Sequence, residues 1–137
     1  MCYNATSSIT SYIYVALITT ILCLYGNKYD QHISLYFFVV IQMQLAEFLM
    51  HIDPKCGILN KIGTLSAFLI LFIQPVSAYT LGDQLETTDT PDYFKYIYTI
   101  WGIMGVILFV MYIMRNKNIC SVKKNGFLMW GFESKNR

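Results

Sequence analysis

Gln44, Glu47 and His51 are the residues of this sequence best spaced to do chemistry together. Their i, i+3, i+7 pattern lines one face of a helix. An amide, a carboxylate and an imidazole on one face can hold a proton, a metal ion or a polar head group. What makes the trio unusual is its setting, because residues 33–52 are otherwise a long apolar run. A carboxylate at the centre of a bilayer costs about 2.5–3.5 kcal/mol, and less toward an edge, so it must face other helices or a wet cavity. Glu47 precedes Ile52 by five residues. At about 1.5 Å of rise per residue, that sets it roughly 7–8 Å inside the boundary of the run.

Two readings share this face. In the first, Glu47 serves packing or assembly and is neutralised by protonation or paired with Arg115 or His51. In the second, it binds a cation, a proton or a head group arriving from the cytoplasmic side. Ser11, Tyr12, Thr64, Ser66 and Tyr112 fall at the same depth and are partners by position, and Arg115 can reach back from the edge on its long stem.

Four cysteines are the other reactive groups: Cys2, Cys23, Cys56 and Cys120. Cys23 lies within the first apolar run, as packing. The other three fall on the side expected to be cytoplasmic, where thiols stay reduced and no structural disulfide is expected. Cys2 and Cys120 lie beside the membrane and are candidates for lipidation. His51-x-Asp53-x-x-Cys56 matches no standard zinc spacing, so a metal is left unassigned. No catalytic constellation is present, since the two histidines, His32 and His51, lie on opposite sides and neither a nucleotide loop nor a GxSxG elbow occurs. No cofactor is implied. Lys123-Lys124 reads as an anchor to an anionic leaflet rather than a nucleic-acid contact.

The elements that must position these groups follow from the distribution of charge. Hydrophobic residues are 55% of the 137-residue chain and charged residues 13%, about half the charged share of a soluble domain. The charges sit in short stretches between four apolar runs, residues 9–25, 33–52, 62–81 and 96–114. Spanning about 30 Å of hydrocarbon takes roughly 20 apolar residues. Only the second run holds a carboxylate or a histidine. The expectation is an all-α fold, a four-helix transmembrane bundle running up-down-up-down, as one domain over 1–137. Its helices are placed at about 8–26, 33–52, 61–82 and 91–115, with a basic interfacial tail over 116–137. The first run lacks a basic n-region and a small-x-small cleavage site, so it is read as a retained helix.

Basic residues set the orientation. Lys55, Lys61, Arg115, Lys117, Lys123, Lys124, Lys135 and Arg137 share the side of both termini, against Lys28 and Lys95 on the other. That asymmetry places both termini in the cytoplasm and leaves the sequon Asn4-Ala5-Thr6 unmodified. Asn4, Thr6, Ser7 or Ser8 caps the first helix. Asp53-Pro54 ends the second, and Thr90-Pro91-Asp92 starts the fourth. Pro75 kinks the third. Gly102 and Gly105 allow close approach without forming a GxxxG motif. The acidic connection 83–90 is expected to be the most mobile internal segment, and Trp130 to sit at head-group level.

The opening Met1-Cys2-Tyr3-Asn4-Ala5-Thr6-Ser7-Ser8-Ile9 resembles an uncharacterised family of small polytopic membrane proteins from bacteria and large DNA viruses that begin Met-Cys-Phe-Ser-x-Thr-Ala-Ser-Phe. Gln44-Leu45-Ala46-Glu47 is similar to its Gln-x-x-Glu, and Asn125-Gly126-Phe127-Leu128-Met129-Trp130 to its Asn-Gly-His-Leu-x-Trp, with Phe127 in the histidine's place. The resemblance implies roles for Cys2, Gln44 and Glu47 and carries no activity with it. Members of that family are longer, with further helices. The functional expectation is a non-enzymatic membrane protein, in a viral or host membrane, whose partners are the lipid bilayer and other helices, in homo- or hetero-oligomers. The alternative is a small transporter or membrane enzyme with a cytoplasm-facing polar site around Glu47.

Overall fold

The computed structural model of the chain describes residues 4–83, 92–115, 119–124 and 127–129. Four helices dominate: α1 (Ala5–Tyr25), α2 (Lys28–Ile52), α3 (Ile58–Asp83) and α4 (Asp92–Arg115), followed by the short strands β1 (Val122–Lys124) and β2 (Phe127–Met129). All four helices are long and apolar enough to cross a membrane. The all-α transmembrane bundle expected from the charge distribution is the fold observed.

Helix starts are set by side-chain oxygens. The Asn4 side chain accepts from the Ser7 N–H at 2.8 Å, which satisfies one of the free donors at the start of α1. Asn27 and Asp30 form a reciprocal capping box on α2, with bonds of 3.0 Å and 3.2 Å. This box starts α2 at Lys28, well before the apolar run at residue 33, and carries the helix out through the polar interface. The α1–α2 turn is tight: the Gly26 N–H donates to Leu22 O, and any side chain on Gly26 would run into that same carbonyl. Asp53 ends α2, as its place before Pro54 requires. α3 continues unbroken through Pro75.

The helices pack in chain order, α1 on α2, α2 on α3 and α3 on α4. Each seam uses different chemistry. Ser8, Thr19 and Ser34 are buried along α1 and α2. Thr19 and Ser34 return their hydroxyl protons to carbonyls of their own helices, so neither hydroxyl is left bare to lipid. Small residues close the α2–α3 seam: a methyl group on Gly63 would lie 2.6 Å from Ala46 O, and Ala46 and Ala67 are almost fully buried. A ladder of rings joins α3 to α4. Phe68 stacks on Tyr112 at 5.2 Å, Phe72 meets Trp101 at 5.9 Å, and Tyr79 stacks on Tyr98 at 4.9 Å. Numbers rise on α3 as they fall on α4, the signature of antiparallel neighbours. Gly105 lies directly under the Phe72 side chain, whereas Gly102 meets Val76 at an ordinary 3.5 Å.

Of the segment read as an interfacial tail, the described part is folded against the bundle. β1 and β2 pair antiparallel, Val122 with Met129 and Lys124 with Phe127. Ile119, Ser121 and Leu128 are buried. Leu128 belongs to the core cluster of Ala46, Met50, Ala67 and Ile70. The expectations for Cys2, for the connection 84–90 with Pro91, and for Trp130 fall outside the described residues.

Candidate functional site

Glu47 is 3% exposed. It sits on α2 between Ala46 and Met50, where that helix lies against Gly63 and Ala67 of α3. Gln44 and His51, a turn to either side, are half-buried. The expected face is therefore formed at the inner part of the bundle. Its outer end opens into a pocket of about 190 Å³, lined by His51, Met50 and Pro54 on one side, Asn4 and Ala5 at the start of α1, and Ser121, Lys123 and Leu128 of the tail. Of the positional partners, Thr64 is buried but bonded elsewhere, Tyr112 stacks on Phe68, and Arg115 is exposed. Among the described residues, no three His, Cys, Asp or Glu side chains gather in a way that could hold a metal ion.

Beside this face lies a second polar cluster, one that residue spacing did not bring out. Asn60 and Thr64 are spaced i, i+4 on α3, and both are fully buried. The Asn60 amide nitrogen donates to Ser121 O at 2.9 Å, and its oxygen accepts from the Ser121 N–H at 2.8 Å. The side chain thus pairs with the tail backbone as a neighbouring strand would. Asn60 also donates to Met50 O at 3.2 Å, which ties the last turn of α2 into the same group. The Thr64 hydroxyl lies 2.9 Å from Ser121 Oγ and donates to Asn60 O at 2.8 Å. A buried polar group that is fully paired rigidifies its surroundings, and one left unpaired is expensive. This cluster is paired throughout.

The tail is also held covalently. Cys56 and Cys120 form a disulfide, with Cα atoms 5.4 Å apart. The expectation of reduced thiols fails at these two positions, and Cys120 has no free thiol to take a lipid. The physical reason is placement. Cys56 lies in the α2–α3 turn, Cys120 follows the end of α4, and the Asn60–Ser121 pairing sets Cys120 beside that turn. The turn is built for the bond: Asp53 accepts from the Gly57 N–H at 3.2 Å and the Asn60 N–H at 3.3 Å. Cys56 itself adopts a left-handed φ of 60°, a conformation that non-glycine residues hold only where neighbours over-determine it. Cys23 is the free cysteine of the described residues. Two signals in the sequence point toward this cluster: a polar i, i+4 pair opening an apolar helix, and two cysteines just past helix ends on one side.

Lys55, Lys61, Arg115 and Lys123 are exposed around this end of the bundle. The arrangement combines a buried carboxylate, a small pocket at its outer end, a rim of cations, and a tail pinned over the seam. No protein-family model, curated protein or solved structure matches the chain.

Proposed function

We propose that the chain is a non-enzymatic membrane protein that acts by assembling with copies of itself through α4. The observation that carries this reading is the packing of α4. Among the described elements, α4 packs chiefly on α3, along one ring-bearing stripe. Its other faces present Ile100, Ile103, Met104, Ile107, Val110 and Met111 outward, all more than two-fifths exposed. In lipid, apolar surface alone does not drive association; close packing does. A helix apolar all round and half-unpacked is therefore suited to meet either lipid or a second helix. The buried polar residues Asn60, Thr64 and Ser121 hold the tail to the α2–α3 seam. The mass of the chain in lipid nanodiscs tests the reading. A defined oligomer in the wild type, lost in Ile103→Ala/Ile107→Ala, is expected. A monomer across protein-to-lipid ratios overturns it.

The eight-to-two basic asymmetry supports a cytoplasmic location for both termini. A second reading, a transporter or enzyme site around Glu47, is favoured by one specific observation: a buried carboxylate with a pocket at the outer end of its own face. The resemblance of Gln44-Leu45-Ala46-Glu47 to the Gln-x-x-Glu of small bacterial and viral membrane proteins supports a role for both residues.

A further inference from the structure

The basic asymmetry and the disulfide pull in opposite directions. Charge sets the end bearing Cys56 and Cys120 in the cytoplasm, where a permanent disulfide does not persist and those that form are transient or redox-sensing. One arrangement satisfies both. We propose that Cys56 and Cys120 are a reversible dithiol–disulfide couple that locks the tail over the outer end of the α2–α3 seam and, on reduction, leaves it held by hydrogen bonds and packing alone, so that it opens transiently. The proposal rests on the cytoplasmic placement of that end.

Three features of the structure equip the pair for this. Both cysteines are partly exposed, so a small thiol or disulfide can reach them. Both are also held in register by bonds that do not involve sulfur. The Asn60–Ser121 pairing is next to Cys120, and the Asp53 bond to the Gly57 N–H is next to Cys56. Reduction therefore leaves the two thiols facing each other, ready to close again. Finally, what the bond restrains has a place to go. Leu128 is inserted among Ala46, Met50, Ala67 and Ile70, and Ser121, Lys123 and Leu128 form the tail's side of the His51 pocket. Withdrawal of this segment would open the pocket and wet the turn of α2 that carries Glu47 and Met50.

The chemistry is ordinary exchange. In closing, the thiolate of one cysteine attacks a low-molecular-weight disulfide such as oxidised glutathione, forming a mixed disulfide and releasing one thiolate. The second cysteine's thiolate then attacks the protein sulfur, the mixed bond breaks, and the second small thiolate leaves. Two electrons pass from the protein to the small disulfide, and the two thiol protons end on the released thiols at neutral pH. Opening is the reverse, with reduced glutathione as the electron donor.

The test uses the full chain carrying Cys2→Ser and Cys23→Ser, so that only the pair is read. In liposomes equilibrated across ratios of reduced to oxidised glutathione, alkylation mass shifts report the bonded fraction. The pair is expected to interconvert fully and reversibly within the range of ratios found in cytosol. Amide exchange over 119–124 and 127–129 should accelerate on reduction. Asn60→Ala should lower the equilibrium constant for closure by about tenfold, since losing a hydrogen-bonded pair removes a comparable share of the juxtaposition. A bond that stays closed at every ratio, or tail exchange that is indifferent to reduction, overturns the couple. Orientation is read separately, by applying an impermeant maleimide to intact cells after mild reduction. Protection of both cysteines supports the cytoplasmic couple. Labelling overturns the orientation, and the cytoplasmic couple with it, even if the purified pair titrates.

Discussion

At the scale of single residues, Asn60 and Glu47 use burial differently. Asn60 converts a buried amide into two backbone hydrogen bonds to Ser121 and one to Met50. Asn60→Ala would leave the Ser121 N–H and carbonyl in the interior without their partner, and the cost of such orphaned groups is about 1–3 kcal/mol each. A loss of roughly 2–3 kcal/mol in disulfide-intact protein is expected, seen as a fall in Tm in detergent. Asn60→Asp should not rescue it, because a carboxylate cannot donate to Ser121 O and brings a charge into a buried site. An unchanged Tm in Asn60→Ala would mean that the cluster contributes shape alone. Glu47 asks a different question. If it serves packing, Glu47→Gln should hold or raise stability, since Gln keeps the shape and removes the charge. If it binds a cation, wild-type stability should rise with added divalent metal by mass action while Glu47→Gln stays flat. Matching responses from the two proteins would sink the binding site and leave the packing role.

Element by element, the glycines separate seams that must be close from those that merely are. A methyl on Gly63 would meet Ala46 O at 2.6 Å and the Met50 side chain at 2.9 Å. Backbone cannot yield as a side chain does, so Gly63→Ala should force α2 and α3 apart at a cost of about 1–3 kcal/mol. Gly102→Ala, with its nearest neighbour at 3.5 Å, should be neutral or stabilise α4 by about 0.5–1 kcal/mol through helix propensity. Thermal unfolding of the two variants side by side checks the contrast, and equal effects would contradict the tight α2–α3 contact. The helices themselves were legible in the sequence, because a bilayer demands long apolar runs and the chain supplies four. Their ends were less so: α2 begins at Lys28 on the Asn27–Asp30 box, a polar signal that hydropathy does not weigh. The tail was the least legible. Its anchor pairs Asn60 with a residue 61 positions away, and neither residue type announces such a bond. The cysteine pairing was misread for a compartmental reason, since a rule about redox environment outweighed the fact that both thiols lie at one end of the bundle.

For the whole molecule, the order of packing implies an order of strength. α1, α2 and α3 share the tighter seams, whereas α4 leans on α3 through rings and lies almost wholly outside the protein interior. Beyond α4, however, the chain returns to the α2–α3 turn and is fixed there by the amide pairing and the disulfide. The peripheral helix is thus held at its far end by the best-anchored segment after it. If so, the connection between α3 and α4 is not what keeps α4 in place. A protease site introduced between residues 86 and 90 makes that testable. After cleavage, the α1–α3 piece and the α4–tail piece should run as one species on a denaturing gel without reductant and as two with it. In mild detergent they should stay together even when reduced, because the Phe68, Phe72 and Tyr79 ring contacts and the Asn60–Ser121 pairing do not depend on sulfur. Adding Asn60→Ala to the cleaved, reduced protein should release the α4 piece, since rings alone contribute only about 0.5–1.5 kcal/mol per pair beyond their burial. Separation in denaturant without reductant would show that the Cys56–Cys120 bond is not formed, and separation in mild detergent on reduction alone would show that the disulfide, not the polar cluster, carries the junction.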